Sequence, residues 1–472
     1  MLIAFTIIYM IFSIIVGIAS KLLVKDSRDY AVAGKSLPLP VVIGTVFATW
    51  FGSESVLGIP PEFMKGGISA LAEDPIGTSV CLFIIAAFFV KYWYNGNFLT
   101  IGDFYRERFS RTVELLCSVA IAISYVGWVA AQLSAFGLVI NVISQGFISK
   151  LSGIVLGSSV IIIYTVYGGM WSLAIIDFIQ MLIIVTGLVA ISYHLSSEIS
   201  TPMVIVQKLK DSGKFSLPSG YSIKSVIEIL AAIATASLGS IPQEDIFQRI
   251  VSAKSLKTAR TGVILAGILY CFIAVLPIVI LVYGYTLAPA LAKSGADRNQ
   301  FLLLQIIMQH TSISTQVMFF GALLSAIMST ASGGLLAPAT ILTKNLIQPY
   351  MAPMPDHIVL LVTRIVVVVF GTVATIFSAI STDSIYNMVT NSDKITMVIP
   401  FVPLVAGIYW KKASTSGAVI SISIGTIVWI SFSGSKIDSI VPPHIAGLIA
   451  STIGMIVGSY LPNLNNIKIN LS

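Results

Sequence analysis

The chain has 472 residues, of which 56% are hydrophobic and only 10% are charged, and its mean hydropathy is +0.95. Soluble domains carry about 25% charged residues, so this composition excludes a water-soluble globular protein and predicts an integral membrane protein. The net charge of +7 is spread over short loops between apolar runs, and this distribution does not indicate nucleic-acid binding.

Apolar runs of about 20 residues follow one another along nearly the whole chain, and a helix of that length crosses the hydrocarbon core of a bilayer. The runs are continuous and do not alternate in polarity, which favours helices over the strands of a barrel. We therefore predict an all-α polytopic membrane protein. The expected helices, about thirteen in number, are 2–24, 41–64, 68–94, 113–147, 151–167, 172–194, 226–250, 258–286, 313–347, 357–380, 384–410, 415–434 and 441–461.

Basic residues in the loops predict the orientation of these helices. If the N-terminus lies outside, the loops on the inner side hold most of the lysines and arginines, so we predict an N-out, C-in topology. The two longer loops, 195–225 and 287–312, then lie outside. The expected location is the cell (inner) membrane, as a multi-pass protein with a single transmembrane domain.

The stretch "GTVFATWFGSESVLGIPP" interrupts an apolar run with Gly52, Ser53 and Glu54. Glycine weakens a helix, and the two prolines at the end of the stretch remove backbone donors. Non-helical backbone is tolerated at membrane depth only where protein or a water-filled cavity satisfies it. The stretch therefore predicts a functional break, although a kinked helix with small residues at a packing contact is the competing interpretation.

A second stretch, "IATASLGSIPQEDIFQR", repeats this character with Gly239, Ser240 and Pro242. Each break falls in the first helix of a block of five predicted helices. Interrupted helices in corresponding halves are typical of transporters built from inverted repeats, with the substrate site at the repeat interface. The predicted organisation is an extra N-terminal helix and loop (1–40), a first repeat (41–194), a second repeat (226–410) and two extra helices (411–472).

A third segment, "SAIMSTASGG", places Ser325, Ser329 and Ser332 at i, i+4 and i+7, on one face of a helix. Hydroxyl and carbonyl oxygens suit a small hard cation. Carbonyls released by the first break near Ala48 and Phe51 would complete a sodium shell. Close helix packing through small residues is the alternative.

Three acidic positions inside apolar segments remain open to more than one interpretation. Asp177 either pairs with a basic group or holds a cation. For Asp393 and Lys394, an ion pair is favoured over contact with a substrate. Glu54 is either the counter-charge of a cationic substrate or a buried acid kept neutral by desolvation.

Together these residues resemble the sodium/solute symporter family over nearly the whole chain. The likeness is carried by "DYAVAGKSLP", "ATWFGSESVLGIPP", "YTVYGGMWSLAIIDFIQ", "IPQEDIFQRIVSAKS" and "AIMSTASGG". It implies a LeuT-type fold of two five-helix inverted repeats with extra helices, and Na+ as the coupling ion. The sodium ligands implied by the resemblance are Ala48, Phe51, Ala326, Ser329 and Thr330.

Some members of this family hold a second sodium ion with an aspartate and further serines. Asp177, Ser329 and Ser332 match that pattern, whereas Gly333 stands where another serine would be. The resemblance therefore leaves open whether one or two sodium ions are coupled.

Within the family, the chain most resembles high-affinity choline transporters, through "TWFG", "DPIG", "IFQRIVSAKS" and "IVLLVTRIVVVVFG". Those proteins hold a quaternary ammonium group in an aromatic cage by cation–π attraction. The resemblance places Trp50 and Trp128 at cage positions, but Gln243 stands at the position of another cage tryptophan, which indicates a substrate with hydrogen-bonding groups. The expected substrate-binding residues are Trp50, Ser53, Glu54, Trp128, Gln243 and Tyr386.

The expected function is sodium-coupled symport of a small polar organic solute by alternating access, the solute being a choline-like amine, betaine or an amino acid such as proline. Proton coupling through Glu54, Asp177 or Asp245 is one alternative. A transporter-like sensor is another, although the segment after Pro462 is short for a signalling domain. No nucleophile–base pair, metal motif or phosphate loop indicates an enzyme. The expected partners are the solute, sodium and the bilayer, and the oligomeric state is not predicted.

Overall fold

The computed structural model is almost entirely helical, and it describes residues 2–198, 202–211, 213–214, 222–287, 299–351, 353–434 and 441–461. The α-helices, numbered in chain order, are α1 (Leu2–Ser20), α2 (Ser27–Val32), α3 (Leu39–Trp50), α4 (Ile59–Gly66), α5 (Thr78–Ile84), α6 (Val90–Asn95), α7 (Ile101–Arg108), α8 (Arg111–Ile143), α9 (Lys150–Glu198), α10 (Pro202–Asp211), α11 (Ile223–Gly239), α12 (Glu244–Ser252), α13 (Leu256–Ile273), α14 (Leu276–Leu287), α15 (Asn299–His310), α16 (Ile313–Ile341), α17 (Asp356–Ile380), α18 (Ile385–Val398), α19 (Phe401–Tyr409), α20 (Thr415–Gly434) and α21 (Pro443–Tyr460).

Within the described residues, nine helical stretches are long and apolar enough to cross a bilayer, or up to eleven if each of two bent pairs counts as one span. The count is lower than the predicted thirteen partly because α9, counted as one stretch, contains both expected helices 151–167 and 172–194, which a non-helical residue separates. Gly169 interrupts α9 with φ +50° and ψ −139°. A Cβ at Gly169 would lie 2.5 Å from the carbonyl oxygen of Tyr30, so both its backbone conformation and the close approach require glycine.

The first predicted break is present between α3 and α4. Helix α3 ends at Trp50, and Phe51 leaves the helical conformation with φ −86° and ψ 82°. The chain then continues through a π-helical turn, Glu54–Gly58, into α4. The predicted helix 41–64 is therefore two half-helices, as its Gly-Ser sequence indicates.

The second predicted break is also present, because α11 and α12 meet at an angle of 51°. A further bend of 40° separates α18 from α19, within a segment for which sequence analysis predicts one helix, 384–410. Pro400 lies at this bend, and a residue that precedes proline is disfavoured in helical conformation. The Gly-Ser residues at the first and second predicted breaks, Gly52-Ser53 and Gly239-Ser240, are all buried.

Burial separates the central helix from the peripheral ones. The most apolar stretch of α16 is completely buried, whereas only 28% of the corresponding stretch is buried in each of α1, α17, α20 and α21. Helix α16 packs on α3, α8, α9 and α12. It therefore forms the core, and the exposed isoleucines of α1 face the surroundings, as expected for lipid contact.

Candidate transport site

The two broken spans face one internal cavity. Trp50 and Glu54 come from the first break, and Ser240 comes from the second. Trp128 of α8 and Tyr386 of α18 close other sides. Residues that are nearly 200 positions apart in sequence therefore share one site, because each break ends a helix at the same place in the bundle.

Four of the predicted substrate residues line this cavity, namely Trp50, Glu54, Trp128 and Tyr386. The other two are buried just behind it. The backbone N–H of Ser53 donates to Oε1 of Gln132 at 2.8 Å. Gln243 is the N-cap of α12, and its Nε2 donates to Oδ1 of Asp393 at 3.0 Å.

Glu54 satisfies the backbone at the first break. One carboxylate oxygen accepts from the N–H of Gly52 at 3.2 Å, and the other accepts from Nε2 of Gln132 at 2.7 Å. Since Gln132 also receives the N–H of Ser53, this glutamine and Glu54 together satisfy two donors that the interruption releases. Glu54 is only 7% exposed, and what it exposes faces the cavity.

Replacing Gly52 by alanine should disturb the cavity. A Cβ at this position would lie 2.6 Å from Oε2 of Glu54 and 3.0 Å from Nε2 of Gln132. The carboxylate must then move and leave buried donors unpaired, which we expect to lower the free energy of unfolding by about 1–3 kcal/mol and to weaken solute binding.

Thermal unfolding and solute titration measure both effects of this substitution. Gly66→Ala is the matched control, because a Cβ on Gly66 meets no atom within 4 Å. Equal stability and equal affinity for the two variants would contradict the assigned role of Gly52.

Sequence analysis missed two acidic residues of the cavity, Glu73 and Asp74. They lie in a π-helical turn, Glu73–Gly77, that precedes α5, and both line the cavity. Glu73 accepts hydrogen bonds from the hydroxyls of Tyr386 and Thr390. The sequence contains the information needed to find them, because two adjacent carboxylates lie inside the predicted helix 68–94. Acidic residues inside a membrane span are functional candidates, as Asp177 is.

The favoured interpretation of Asp393 as a partner in an ion pair is wrong for the part of the chain that the structure describes. No basic group lies within 4.0 Å of its carboxylate there. Asp393 instead lines the cavity and accepts from Ser240 at 3.2 Å and from Gln243. Lys394 donates to Asn391 at 3.0 Å and acts on Asp393 only from beyond ion-pair distance. The reason is helical geometry, because successive residues of α18 project about 100° apart.

A hydroxyl network joins the first break to Asp74. Ser55 donates to Oδ2 of Asp74 at 2.9 Å, and its oxygen lies 2.9 Å from the hydroxyl of Tyr270. Tyr270 donates to the carbonyl oxygen of Trp50 at 3.2 Å. The Trp50 carbonyl, which the break releases from the helix, thus accepts a hydrogen bond from a side chain of α13. This bond holds Trp50 beside the cavity.

Three of the predicted sodium ligands, Ala48, Ser329 and Thr330, lie together where α3 meets α16. The hydroxyl of Ser329 is within donating distance of the Ala48 carbonyl (3.0 Å) and of Oδ1 of Asp177 (2.7 Å). Thr330 donates to the same carbonyl at 3.2 Å. Ala326 lies one turn away on α16, and Phe51 lies at the end of α3, where its ψ of 82° turns the carbonyl out of the helical direction. The cluster offers oxygen atoms alone, the donor type that suits sodium.

The residues predicted to hold a second sodium ion do not form a cluster of oxygen atoms alone, because a guanidinium group lies beside them. Asp177 lies 3.5 Å from Nη2 of Arg249, and both side chains are completely buried. The hydroxyl of Ser332 donates to the backbone carbonyl of Ser329 at 2.9 Å and is not bonded to Asp177. A Cβ on Gly333 would lie only 2.6 Å from Nη2 of Arg249. A guanidinium therefore lies where the sequence pattern expects a further serine ligand.

A helical membrane bundle with two broken spans around one polar cavity defines the class of secondary transporters. The model of the sodium:solute symporter family matches residues 30–425, and the chain belongs to that family. Its relatives are transporters and not enzymes. It is 26% identical over 419 residues to the high-affinity choline transporter 1 of Torpedo marmorata, covering 86% of this chain and 70% of that protein.

The names of two further relatives specify other solutes. The chain is 24% identical to the sodium/glucose cotransporter of Vibrio parahaemolyticus, over 84% of this chain and 78% of the other. It is also 24% identical to the osmoregulated proline transporter OpuE of Bacillus subtilis, over 94% and 92%. The identity is similar for all three relatives, so family membership does not select a substrate.

Solved structures agree with the predicted fold class. A Na+-coupled sialic acid symporter in a substrate-bound, outward-open state matches with a TM-score of 0.84 at 19% identity, over 97% of both chains. Mhp1, a nucleobase-cation-symport-1 family transporter, matches with a TM-score of 0.61 at 14% identity, over 92% of this chain and 95% of the other. The shared feature at these identities is the fold, a LeuT-like helical bundle.

Proposed function

We propose that this protein is a sodium-coupled symporter that imports a small polar organic solute by alternating access. The observation that carries the proposal is the position of two sites on one half-helix. Trp50 lines the solute cavity, and Ala48, two residues earlier on α3, contacts the hydroxyls of α16. An event at either site therefore acts directly on the backbone that forms the other.

The oxygen cluster gives a physical basis for coupling. Ser329 and Thr330 now hydrogen-bond to the Ala48 carbonyl, and a sodium ion between these oxygens would replace the hydrogen bonds with stronger ion–dipole contacts. Sodium would thereby tie α3 to α16 in one conformation. A ligand shifts a conformational equilibrium only by its differential affinity for the two states, and the coupling between sodium and solute is reciprocal.

We propose one sodium ion per solute. Asp177, the carboxylate of the predicted second site, already has a buried cation beside it in Arg249. Gly333 supplies no hydroxyl oxygen there, and Ser332 is bonded to the backbone. Occupation by a second sodium ion would bring two cations to one carboxylate within a buried site, which is electrostatically unfavourable.

The proposed topology follows the sequence prediction: about thirteen helices, N-out and C-in, in the cell (inner) membrane. The repeats would be 41–194 and 226–410, with α3 and α11 as the corresponding broken helices. Two broken half-helices beside one cavity support this assignment. Rocking of one helix bundle against the other would then open the cavity to each side in turn.

Proton coupling is the second candidate, and a specific observation favours it. Carboxylates line the solute cavity at Glu54, Asp74 and Asp393, all at least nine-tenths buried. Buried acids near a substrate site are typical of proton-coupled transporters. The oxygen cluster on α16 has no role in that scheme, so the driving ion distinguishes the two.

Uptake into proteoliposomes should follow a sodium gradient at fixed pH. We expect the solute to accumulate inside when the external solution contains sodium. We expect no accumulation when potassium replaces sodium. A proton gradient without sodium should give no accumulation. Uptake driven by protons alone, with no effect of sodium, would overturn sodium coupling and favour the second candidate.

A further inference from the structure

The solute cavity is unusually acidic. Glu54, Glu73, Asp74 and Asp393 all line it, and each is at most 7% exposed. Among the described residues that line the cavity, none is Lys, Arg or His. Four carboxylates therefore share one enclosed space without a basic side chain in its wall.

Neutral donors alone satisfy these carboxylates in the described part of the chain. Glu54 accepts from a glutamine and a backbone amide, Glu73 from two hydroxyls, and Asp74 from Ser55. Hydrogen bonds from neutral groups stabilise a carboxylate but do not cancel its charge, and buried charges are normally paired with opposite charges. Lys394, which is not part of the cavity wall, acts electrostatically on Glu73 and Asp393. One basic group beside four acids leaves the cavity suited to a solute that carries positive charge.

One unsatisfied atom of the cavity wall shows what kind of cation fits. Asp74 lines the cavity, and its Oδ1 is buried and has no hydrogen-bond partner in the described structure. A carboxylate oxygen is an acceptor, so it needs an N–H or O–H donor. A quaternary ammonium group has no N–H to give, whereas a primary ammonium group has three. Oδ1 of Asp74 is therefore matched by a primary ammonium group and not by a quaternary one.

The acidic groups are spread out and do not converge on one point. Within the described residues, no group of three or more His, Cys, Asp or Glu side chains is arranged to hold a metal ion. Glu73 is anchored to Tyr386 and Thr390, which lie about two turns and one turn before Asp393 on α18. The separation suits two positive charges joined by an aliphatic chain.

Aromatic side chains line the same cavity as the acids. Trp50, Trp128 and Tyr270 all border the cavity. Their faces can cover methylene groups and also attract ammonium groups by cation–π interaction. Apolar faces in the same cavity as separated acids match a molecule that is charged at both ends and apolar in the middle.

We propose that the solute is a linear aliphatic diamine or polyamine, bound through primary ammonium groups at Glu73, Asp74 and Asp393. This inference rests on the proposed transport function, and it narrows the solute from small organic solutes in general to compounds with at least two positive charges. Glu54 contributes negative charge at the first break.

The test is ligand binding to the full-length purified protein, with and without sodium. The probes are 1,4-diaminobutane, 1,5-diaminopentane, the monoamine 1-aminobutane, choline, betaine, proline and Mn²⁺, each followed by thermal shift and titration calorimetry. We expect a diamine to bind at least about tenfold more tightly than 1-aminobutane, because the second ammonium group gains a charged hydrogen-bonding partner.

Substitutions of single acids test which carboxylate binds the second ammonium group of the diamine. Asp393→Asn should weaken diamine binding at least about tenfold and weaken binding of 1-aminobutane by a smaller factor, so the preference for two charges decreases. Glu73→Gln provides an independent variant if the first one folds poorly. Asp211→Asn is the control, because Asp211 is exposed and bonds to Gln207 within α10; we expect it to bind diamine as the wild type does.

The outcomes separate this inference from the proposed function. No binding of either diamine, equal affinity for monoamine and diamine, or tighter binding of choline, betaine, proline or Mn²⁺ overturns the diamine assignment. Sodium-dependent binding of choline or proline in place of a diamine would overturn the diamine assignment but would agree with the proposed sodium symport. Diamine binding that is indifferent to sodium, with no sodium-driven uptake, would support the diamine assignment and overturn the coupling ion.

Discussion

Replacing Arg249 by methionine should produce the largest loss of stability of any single substitution considered for this protein. Arg249 and Asp177 are both completely buried, with Nη2 and Oδ2 3.5 Å apart. The guanidinium also donates to the carbonyls of Thr45 and Asp245. Methionine fills much of the space but leaves a buried carboxylate without its cation, which typically costs about 3–5 kcal/mol.

Chemical unfolding in detergent measures this loss, and a double variant tests its cause. Arg249→Met combined with Asp177→Asn removes both charges, so most of the lost stability should return. Arg364→Met is the matched control, because Arg364 donates to a backbone carbonyl and packs over Tyr30; we expect it to cost about 1 kcal/mol. If the double variant were no more stable than Arg249→Met, the ion pair would not be the cause.

The same variant tests the proposed sodium count. With the guanidinium gone, Asp177 would be available to a sodium ion, and binding to the native state raises apparent stability. Sodium should therefore stabilise Arg249→Met more than it stabilises the wild type. An equal sodium effect on both proteins would argue against Arg249 as the resident cation beside Asp177.

Removing the hydroxyl of Thr330 should weaken the activation of uptake by sodium. Thr330→Val keeps the shape of the side chain but removes an oxygen that lies 3.2 Å from the Ala48 carbonyl. Loss of one oxygen ligand should raise the sodium concentration for half-maximal uptake about tenfold, equivalent to about 1.4 kcal/mol. Ser329→Ala should have a similar effect, and both are measured as initial uptake rates against sodium concentration in proteoliposomes.

Thr330→Ser is the matched control, because it retains the hydroxyl and loses only a methyl group. It should keep sodium activation close to that of the wild type. Without sodium, Thr330→Val and Ser329→Ala should lose about 1–3 kcal/mol of stability with their buried hydrogen bonds. A smaller gain in stability on adding sodium than in the wild type separates a ligand from a packing residue. Unchanged sodium dependence in both Thr330→Val and Ser329→Ala would remove the sodium site from this cluster.

Local sequence was sufficient for features that depend on neighbouring residues. The apolar runs specify membrane helices because an exposed backbone has no hydrogen-bond partner in lipid. Gly52-Ser53 and Gly239-Ser240 mark both broken spans, since these residues weaken a helix wherever it lies. The hydroxyl face of α16 follows from helical spacing alone. Family membership also follows from the sequence, through motifs distributed over 30–425.

Sequence spacing was insufficient where the partner of a polar group comes from elsewhere in the chain. Asp177 and Asp393 both lie in apolar helices, yet one lies beside Arg249 and the other faces a cavity. The sequence around each acid gives no sign of this difference. Likewise, Gln132 supports the first break from a position 79 residues away from Ser53.

The sequence by itself determined the membrane class, the family, the two helix breaks and the serine-bearing helix, because each is a property of residues within a few turns of one another. Only the tertiary structure decided which acids meet. It places Glu73 and Asp74 beside Glu54 and Asp393 in one cavity, and it places Arg249 against Asp177. The energy of a charge depends on its distance from other charges and on its burial, and helix packing sets both.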